Sequence, residues 1–183
     1  MMRSNKHRIE RLWILLCVVV LTGCGRSQRA PAPAPTPKQP TTAEQQRAKD
    51  ALVTWLECEE CTDGELEAVV GCGRMILPSL VRTLELGPAP AQTERLRLHL
   101  EKTYDQLVAY EKTHPEAKVG MSRSEYLRTY LDNYRTQYKV RAGIALGALG
   151  GPDAKKALKE AISQAERADL REALDRALRT ARS

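Results

Sequence analysis

The sequence predicts an all-α protein in which about seven helices stack as short hairpins, and three observations support this fold class. From Thr42 onward, no run of β-branched residues alternates over five or more positions, and the longest such cluster is Val69-Val70. Apolar residues instead recur at steps of three and four, as on one face of an α-helix. Capping pairs of the form Ser/Thr-x-x-Glu/Gln precede several of these stretches, and Gly-Pro or His-Pro pairs end others.

Capping pairs indicate the first two helices. Thr42 with Gln45 predicts the start of the first helix, and Thr62 with Glu65 predicts a short second helix that includes Val69-Val70. The apolar face of the first helix consists of Ala48, Ala51, Leu52, Trp55 and Leu56.

The third and fourth helices are delimited by their stop signals. The third is expected over Leu77–Leu86, where Gly87-Pro88 ends it. The fourth is expected from about Ala91 to Thr113, because a residue before proline disfavours the helical conformation and His114-Pro115 follows.

The fifth helix is the longest, and Ser122 with Glu125 caps it. Gly150-Gly151-Pro152 breaks the chain, and a sixth helix is expected over Ala154–Ala165. The apolar stripe of the fifth helix comprises Leu127, Leu131, Tyr134, Tyr138, Ala142, Ala145 and Leu149. A seventh helix carries Leu170, Ala173, Leu174, Ala177 and Leu178.

A short motif spans the end of the fifth helix. Residues 140–154 read Val-Arg-Ala-Gly-Ile-Ala-Leu-Gly-Ala-Leu-Gly-Gly-Pro-Asp-Ala, and Leu158 and Ile162 follow. This segment resembles a HEAT repeat of the bacterial short-repeat type, which pairs an Ala/Leu-rich helix, a Gly-Pro or Gly-Asp turn and a second amphipathic helix. A poorer copy consists of Leu66, Val69, Val70, Gly73, Leu77, Pro78, Leu80 and Leu84. The resemblance implies a short α-solenoid that recognises proteins, and a generic helical bundle is the alternative.

Gly143 and Gly147 bear on this choice. Each glycine costs about 1 kcal/mol relative to alanine inside a helix. We therefore expect a neighbouring helix to approach the backbone closely at these two positions.

The N-terminus has the three parts of a secretory signal: a basic stretch, an apolar run over Leu12–Leu21 and small residues. That run is about half as long as the ~20 residues that span a bilayer. Leu21-Thr22-Gly23-Cys24 resembles the lipobox of bacterial lipoprotein precursors, which implies cleavage before Cys24 and attachment of fatty acyl chains to it. An ordinary signal peptide with a chance cysteine is the alternative.

The predicted organisation has three parts: a signal peptide over residues 1–23, a lipidated cysteine and proline-rich linker over 24–42, and a helical domain over 43–183. The alternating Ala-Pro run from Ala30 indicates a semi-rigid polyproline II spacer, and an SH3-type ligand is the alternative. Gly25, rather than aspartate, follows the cysteine, and the lipoprotein resemblance then implies the outer membrane in enteric-type bacteria.

The formal net charge of +6 is not a nucleic-acid signature, because half of it lies in the signal peptide, where four basic residues face Glu10. Within the domain, an acidic segment covers residues 57–67 and a basic segment covers 118–141. We expect them at opposite ends of the domain, where runs of charge are most often solvated faces. Steering of a charged partner and self-association through these ends are the alternatives.

Cys58-Glu59-Glu60-Cys61 is a C-x-x-C pattern. Thiol oxidoreductases place it at a helix N-terminus in a βαβ fold, whereas here Cys58 falls at the C-terminal end of its predicted helix among six acidic residues. These surroundings disfavour a reactive thiolate, and an oxidising envelope favours a structural disulfide between Cys58 and Cys61. Cys72, at the far end of the second helix, is too distant to pair with Cys61 and is expected to be a buried free thiol. Thiol exchange, or a metal site that also uses Cys72 and His99, is the alternative. Haem attachment would need a histidine where Thr62 stands.

Tyr126, Tyr130, Tyr134 and Tyr138 recur at steps of four, which drift by about 40° per step around a helix. This drift predicts Tyr134 and Tyr138 in the core and Tyr126 toward its edge. Packing in the core is the first interpretation of these tyrosines. The alternative is a candidate partner surface that comprises Tyr126, Tyr130, Arg123, Arg128 and Arg135.

These patterns together predict a lipid-anchored protein of the bacterial envelope that acts as a scaffold or interaction module for another envelope protein. We expect no catalytic residue, cofactor, resident metal or nucleic-acid partner. The alternative function is a C-x-x-C thiol/disulfide or metal-binding protein.

Overall fold

The computed structural model describes residues 40–181, and all regular secondary structure in this part of the chain is helical. This result confirms the predicted all-α class. The seven helices of the described residues agree with the predicted stack of helical hairpins. The predicted signal peptide, the lipidated Cys24 and nearly all of the linker lie outside the described residues. The helices are α1 (Thr42–Glu57), α2 (Asp63–Gly71), α3 (Leu77–Leu86), α4 (Pro90–Thr113), α5 (Arg123–Leu149), α6 (Gly151–Gln164) and α7 (Ala168–Thr180), with a 3-10 turn at Gly73–Met75.

Helix ends follow their capping chemistry, with two differences from the prediction. The first capping box uses Thr41 and Glu44 instead of Thr42 and Gln45, and the Glu44 carboxylate accepts from the Thr41 amide at 2.7 Å. Either pair satisfies the spacing, but a carboxylate also interacts favourably with the positive end of the helix dipole. The boxes at Thr62 and Ser122 are confirmed, since Glu65 and Glu125 each accept from the corresponding cap amide.

The second difference concerns α6, which begins at Gly151 instead of Ala154. Gly150 precedes it with φ +70°, a conformation that glycine adopts without steric cost. Pro152 then lies in the first turn, where its missing N–H would have no helical partner anyway.

Helix α5 is the centre of the fold. It packs most extensively against α7 and α3, then against α4 and α6, and it also contacts α1 and α2. Its C-terminal half provides the middle of the hydrophobic core, where Tyr138, Ala142, Ala145 and Leu146 are each at most 2% exposed. As predicted, Tyr134 and Tyr138 contribute to this core.

The two glycines of α5 have the close neighbours that the sequence predicts. A Cβ atom on Gly147 would lie 2.5 Å from the backbone oxygen of Ala177 in α7. A Cβ atom on Gly143 would overlap the Leu174 side chain and lie 3.6 Å from a methyl carbon of Leu158. Helices α5 and α7 can therefore pack closely because these two positions lack side chains.

The α4–α5 hairpin extends beyond this core. No residue between 85 and 133 belongs to the hydrophobic cluster that joins the other helices. Helix α4 makes its extensive packing contacts with α5 alone, and over its length only Leu100 is a buried apolar residue. We call residues 90–133 the arm.

Candidate functional site

The predicted partner surface lies on the arm and at its base. Arg123, Arg128 and Arg135 are exposed, as expected for a contact surface. Arg123 approaches Asp105 of α4 at 3.4 Å, and Arg135 approaches Asp132 at 3.3 Å. Both are exposed pairs, which contribute little to stability and leave the guanidinium groups available to a partner.

Tyr126 does not belong to this surface. It is only 7% exposed, because its ring packs against Tyr104 of α4 at a centroid distance of 5.4 Å and against Tyr130 at 4.5 Å. The Tyr104 hydroxyl donates to the Met121 carbonyl at 3.0 Å and so attaches the loop to the same cluster. Tyr130, in contrast, is 46% exposed. The tyrosine cluster therefore holds the two helices of the arm together and presents one ring to solvent.

The Cys58–Cys61 motif follows α1 directly. The Cα atoms of the two cysteines are 5.2 Å apart and their sulfur atoms lie at bonding distance, so the structure contains the close pair that a disulfide requires. Cys58 is the C-cap of α1, as predicted, and Cys61 immediately precedes Thr62, the N-cap of α2. The prediction that Cys72 is buried is wrong. Cys72 is half-buried, because it lies on the partly open face between α2 and α1.

Arg141 is the main structural residue that the sequence analysis missed. Predicted as part of the basic segment, it is instead buried, and its guanidinium donates to the carbonyls of Leu56, at 2.6 Å, and Cys58. Its own carbonyl accepts from the Trp55 indole N–H at 3.0 Å. Burial lowers the pKa of Arg141, and the guanidinium satisfies carbonyls at the negative end of the α1 dipole. The sequence contains one signal for this burial: Arg141 is the single charged residue in the otherwise apolar run from Val140 to Leu149.

This contact corrects the predicted charge separation. The last residue of the basic segment, Arg141, touches the start of the acidic segment and does not lie at the opposite end of the domain. Tyr138 strengthens the junction by donating to the Glu57 carboxylate at 2.8 Å. Gln92, in the first turns of α4, donates to the same oxygen. The C-terminal end of α1 is thus a junction between α1, α4 and α5.

The hydroxyl network at this junction runs from the half-buried Tyr134 through the buried Tyr138 to the exposed Glu57. Burial, reinforced by hydrogen bonds with Tyr134 and Glu57, raises the pKa of Tyr138. The Tyr134 hydroxyl donates to the Tyr138 hydroxyl at 3.1 Å, and the Tyr138 hydroxyl in turn donates to the Glu57 carboxylate. Tyr138 therefore remains a neutral donor at physiological pH, and its role here is to position α1.

Two further observations concern metals and membranes. Within residues 40–181, no group of three or more His, Cys, Asp or Glu side chains is arranged to hold a metal ion. None of the helices in the described part of the chain is long and apolar enough to cross a bilayer.

Comparison with known proteins gives no match: no family model, curated protein or solved structure is significantly similar to this chain. Its function is therefore inferred from its own residues.

Proposed function

We propose that this chain is a bacterial envelope lipoprotein, anchored through Cys24, whose helical domain binds another envelope protein and performs no catalysis. The observation that carries the proposal is the arm. Five of the eight exposed large apolar residues in the described chain lie on it, although it contributes nothing to the main core. These five residues are Leu98, Leu107, Tyr110, Met121 and Tyr130.

The chemistry of the arm suits a protein partner. Tyrosine, methionine and arginine are enriched at protein–protein interfaces, and Tyr130 and Met121 are exposed together with Arg123 and Arg128. A hairpin with only two packed helices also leaves faces on which further helices can be added. The close packing at Gly143 and Gly147 supports the proposed HEAT-like architecture, in which such surfaces recognise proteins.

We further propose that Cys58 and Cys61 form a structural disulfide in the oxidising envelope. The bond would close the turn whose Cys58 carbonyl accepts from Arg141, and so fix the junction of α1 with α5. Alkylation at lysis, before reduction, should then modify Cys72 and spare Cys58 and Cys61 in mass spectrometry. Mixed disulfides from Cys58 or Cys61 to many proteins would favour the alternative thiol-exchange function.

The interaction is tested by site-specific photo-cross-linking in intact cells. A benzophenone amino acid replaces Leu107 or Tyr130 on the arm, and Val53 on α1 is the control, because its exposure of 42% lies between 38% for Leu107 and 46% for Tyr130. We expect one recurring envelope protein at both arm positions and none at Val53. The same adducts at all three positions, or none on the arm, would contradict the proposal.

The anchor needs a separate test, because binding and anchoring can fail independently. In a Cys24→Ser variant we expect loss of metabolic labelling with an alkyne fatty acid and a shift of the protein out of the membrane fraction. Unchanged labelling and fractionation would contradict lipidation at Cys24. The proposal that the arm binds a partner would still stand.

A further inference from the structure

The two cysteines of the C-x-x-C pair lie in different surroundings. Cys58 is half-buried and packs against the hydrophobic core, whereas Cys61 is exposed and lies outside that cluster. The Cys58 sulfur lies 3.0 Å from the Trp55 carbonyl oxygen, and the Cys61 sulfur lies 4.0 Å from the same atom. When the pair is reduced, the Cys58 thiol therefore has a close hydrogen-bond acceptor within the fold, and the Cys61 thiol is open to solvent.

This difference in access does not depend on the disulfide. The end of α1 is held against α5 by hydrogen bonds that involve no sulfur atom. The Trp55 indole donates to the Arg141 carbonyl at 3.0 Å, and the Arg141 guanidinium donates to the Leu56 carbonyl at 2.6 Å. Beyond the turn, the Glu65 carboxylate accepts from the Thr62 amide at 2.6 Å and so caps α2. The reduced chain should therefore keep one cysteine inside and the other outside.

The charged groups around the turn do not distinguish the two thiols. Cys58 lies at the negative end of the α1 dipole, but the Arg141 guanidinium donates to its carbonyl oxygen. Cys61 precedes the positive end of the α2 dipole, but the Glu65 carboxylate occupies that end. Acidic residues are as numerous beside one cysteine as beside the other: Glu57, Glu59, Glu60 and Asp63. Access to an incoming reactant, rather than charge, therefore distinguishes the two sulfur atoms.

On the basis of the disulfide proposed above, we propose that Cys61 is the sulfur through which the pair exchanges with an oxidant that itself carries a disulfide, and that Cys58 is the resolving sulfur. The Cys61 thiolate attacks one sulfur of the oxidant, forms a mixed disulfide and releases the other oxidant sulfur as a thiolate. The Cys58 thiolate then attacks the Cys61 sulfur, which closes the Cys58–Cys61 bond and releases the second oxidant thiolate. Two electrons pass to the oxidant, and the two protons of the cysteine thiols end on the two released thiols.

Two variants with one thiol each in the described chain test the proposal. Cys58→Ser/Cys72→Ser keeps Cys61, and Cys61→Ser/Cys72→Ser keeps Cys58. The full chain of each variant reacts with oxidised glutathione, and the mixed disulfide on the tryptic peptide 50–74 is followed by mass spectrometry. We expect Cys61 to react at least about tenfold faster than Cys58 in native buffer, because exchange requires access to the thiol.

Concentrated urea provides the matched control. The two rates should agree within about twofold there, because unfolding removes the difference in access. Equal rates in native buffer, or a faster reaction of Cys58, would overturn the proposal.

The wild-type chain provides a second test that does not depend on the folding of the variants. Because each exchange step is reversible along the same path, excess reduced glutathione should enter the oxidised pair at Cys61 and leave Cys58 as the free thiol. After acid quenching, fragmentation of peptide 50–74 should place at least about nine-tenths of the bound glutathione on Cys61. Glutathione mainly on Cys58, an equal division between the two, or a pair that does not open would contradict the proposal.

This experiment and the alkylation experiment can fail independently. If alkylation at lysis showed that Cys58 and Cys61 are reduced in cells, the structural disulfide would be wrong, whatever the rates of the two variants. If alkylation confirmed the disulfide but the two rates were equal, the disulfide would stand and the separate roles of Cys61 and Cys58 would be wrong.

Discussion

At the scale of single residues, Arg141 joins α5 to the C-terminal end of α1. It is 8% exposed and satisfies two carbonyls at the end of α1. Removing a donor from a buried acceptor costs about 1–3 kcal/mol, because the acceptor loses its partner without regaining water. We expect Arg141→Met to lower the free energy of unfolding by about 2–4 kcal/mol in urea denaturation followed by circular dichroism.

The exposed Arg128 provides the control for this measurement. Arg128→Met should change the free energy of unfolding by less than about 0.5 kcal/mol, as surface substitutions usually do. If the two variants proved equally stable, the hydrogen bonds of Arg141 would not hold α1 in place.

Tyr138 predicts a pH dependence. Burial raises the pKa of its phenol above the ordinary value of 10, so the folded protein keeps a proton that the unfolded chain has lost. The contribution of Tyr138 to stability is therefore complete below about pH 10 and decreases above it, by up to about 1.4 kcal/mol per pH unit. Tyr138→Phe should remove this slope when unfolding is measured from about pH 9 to pH 12.

The comparison of wild type with Tyr138→Phe isolates this one group. Tyr126, whose pKa burial also raises, and Lys139, whose pKa burial lowers, are present in both proteins and cancel in the difference. Parallel pH profiles would show that Tyr138 ionises in the folded state as readily as in the unfolded chain.

At the scale of helices, the α5–α7 contact depends on Gly147. Alanine is the better helix former by about 1 kcal/mol, but here its Cβ would lie 2.5 Å from a backbone oxygen that cannot rotate away. The helices must separate, and overpacking of this kind costs about 1–3 kcal/mol. We expect Gly147→Ala to lower the free energy of unfolding by that amount in the same urea assay.

Gly71, in the last turn of α2, is the matched control. Nothing lies within 4 Å of a Cβ built there, so Gly71→Ala should be neutral or stabilise the protein by up to about 1 kcal/mol. Equal effects of the two substitutions would mean that α7 can move away from α5 at little cost.

The helices were largely predictable because their signals are local. Glu65 and Glu125 reach back to cap amides three residues away, and Gly87 ends α3 through its own conformation. The start of α1 was predicted one residue late, since Thr41 and Thr42 offer the same spacing and only the carboxylate of Glu44 distinguishes them. Short-range chemistry therefore determines where the helices begin and end. The prediction is in error where two neighbouring residues could each serve as the cap.

At the scale of the whole molecule, the candidate site was only partly predictable. The sequence places Tyr130 and the arginines on a surface correctly, because helical periodicity separates them from the core stripe. It could not show that Tyr104 covers Tyr126, or that Leu56 lies beside Arg141, because these contacts join residues 22 and 85 positions apart. Contacts between residues far apart in the sequence depend on how the helices are arranged. The pattern of residues along one helix does not contain that information.

The same arrangement predicts a gradient of stability along α5. Its C-terminal half is enclosed by the core, whereas its N-terminal half packs in the arm against α4. Segments with few buried apolar contacts open at lower free energy, and their amides exchange faster. We expect backbone amides of residues 126–133 to exchange about 10–100 times faster than those of residues 142–149 in hydrogen exchange followed by mass spectrometry. Uniform protection along α5 would show that the arm opens only with the whole domain. If the arm binds a partner as proposed, adding that partner should slow exchange in residues 100–130 and leave the already protected C-terminal half unchanged.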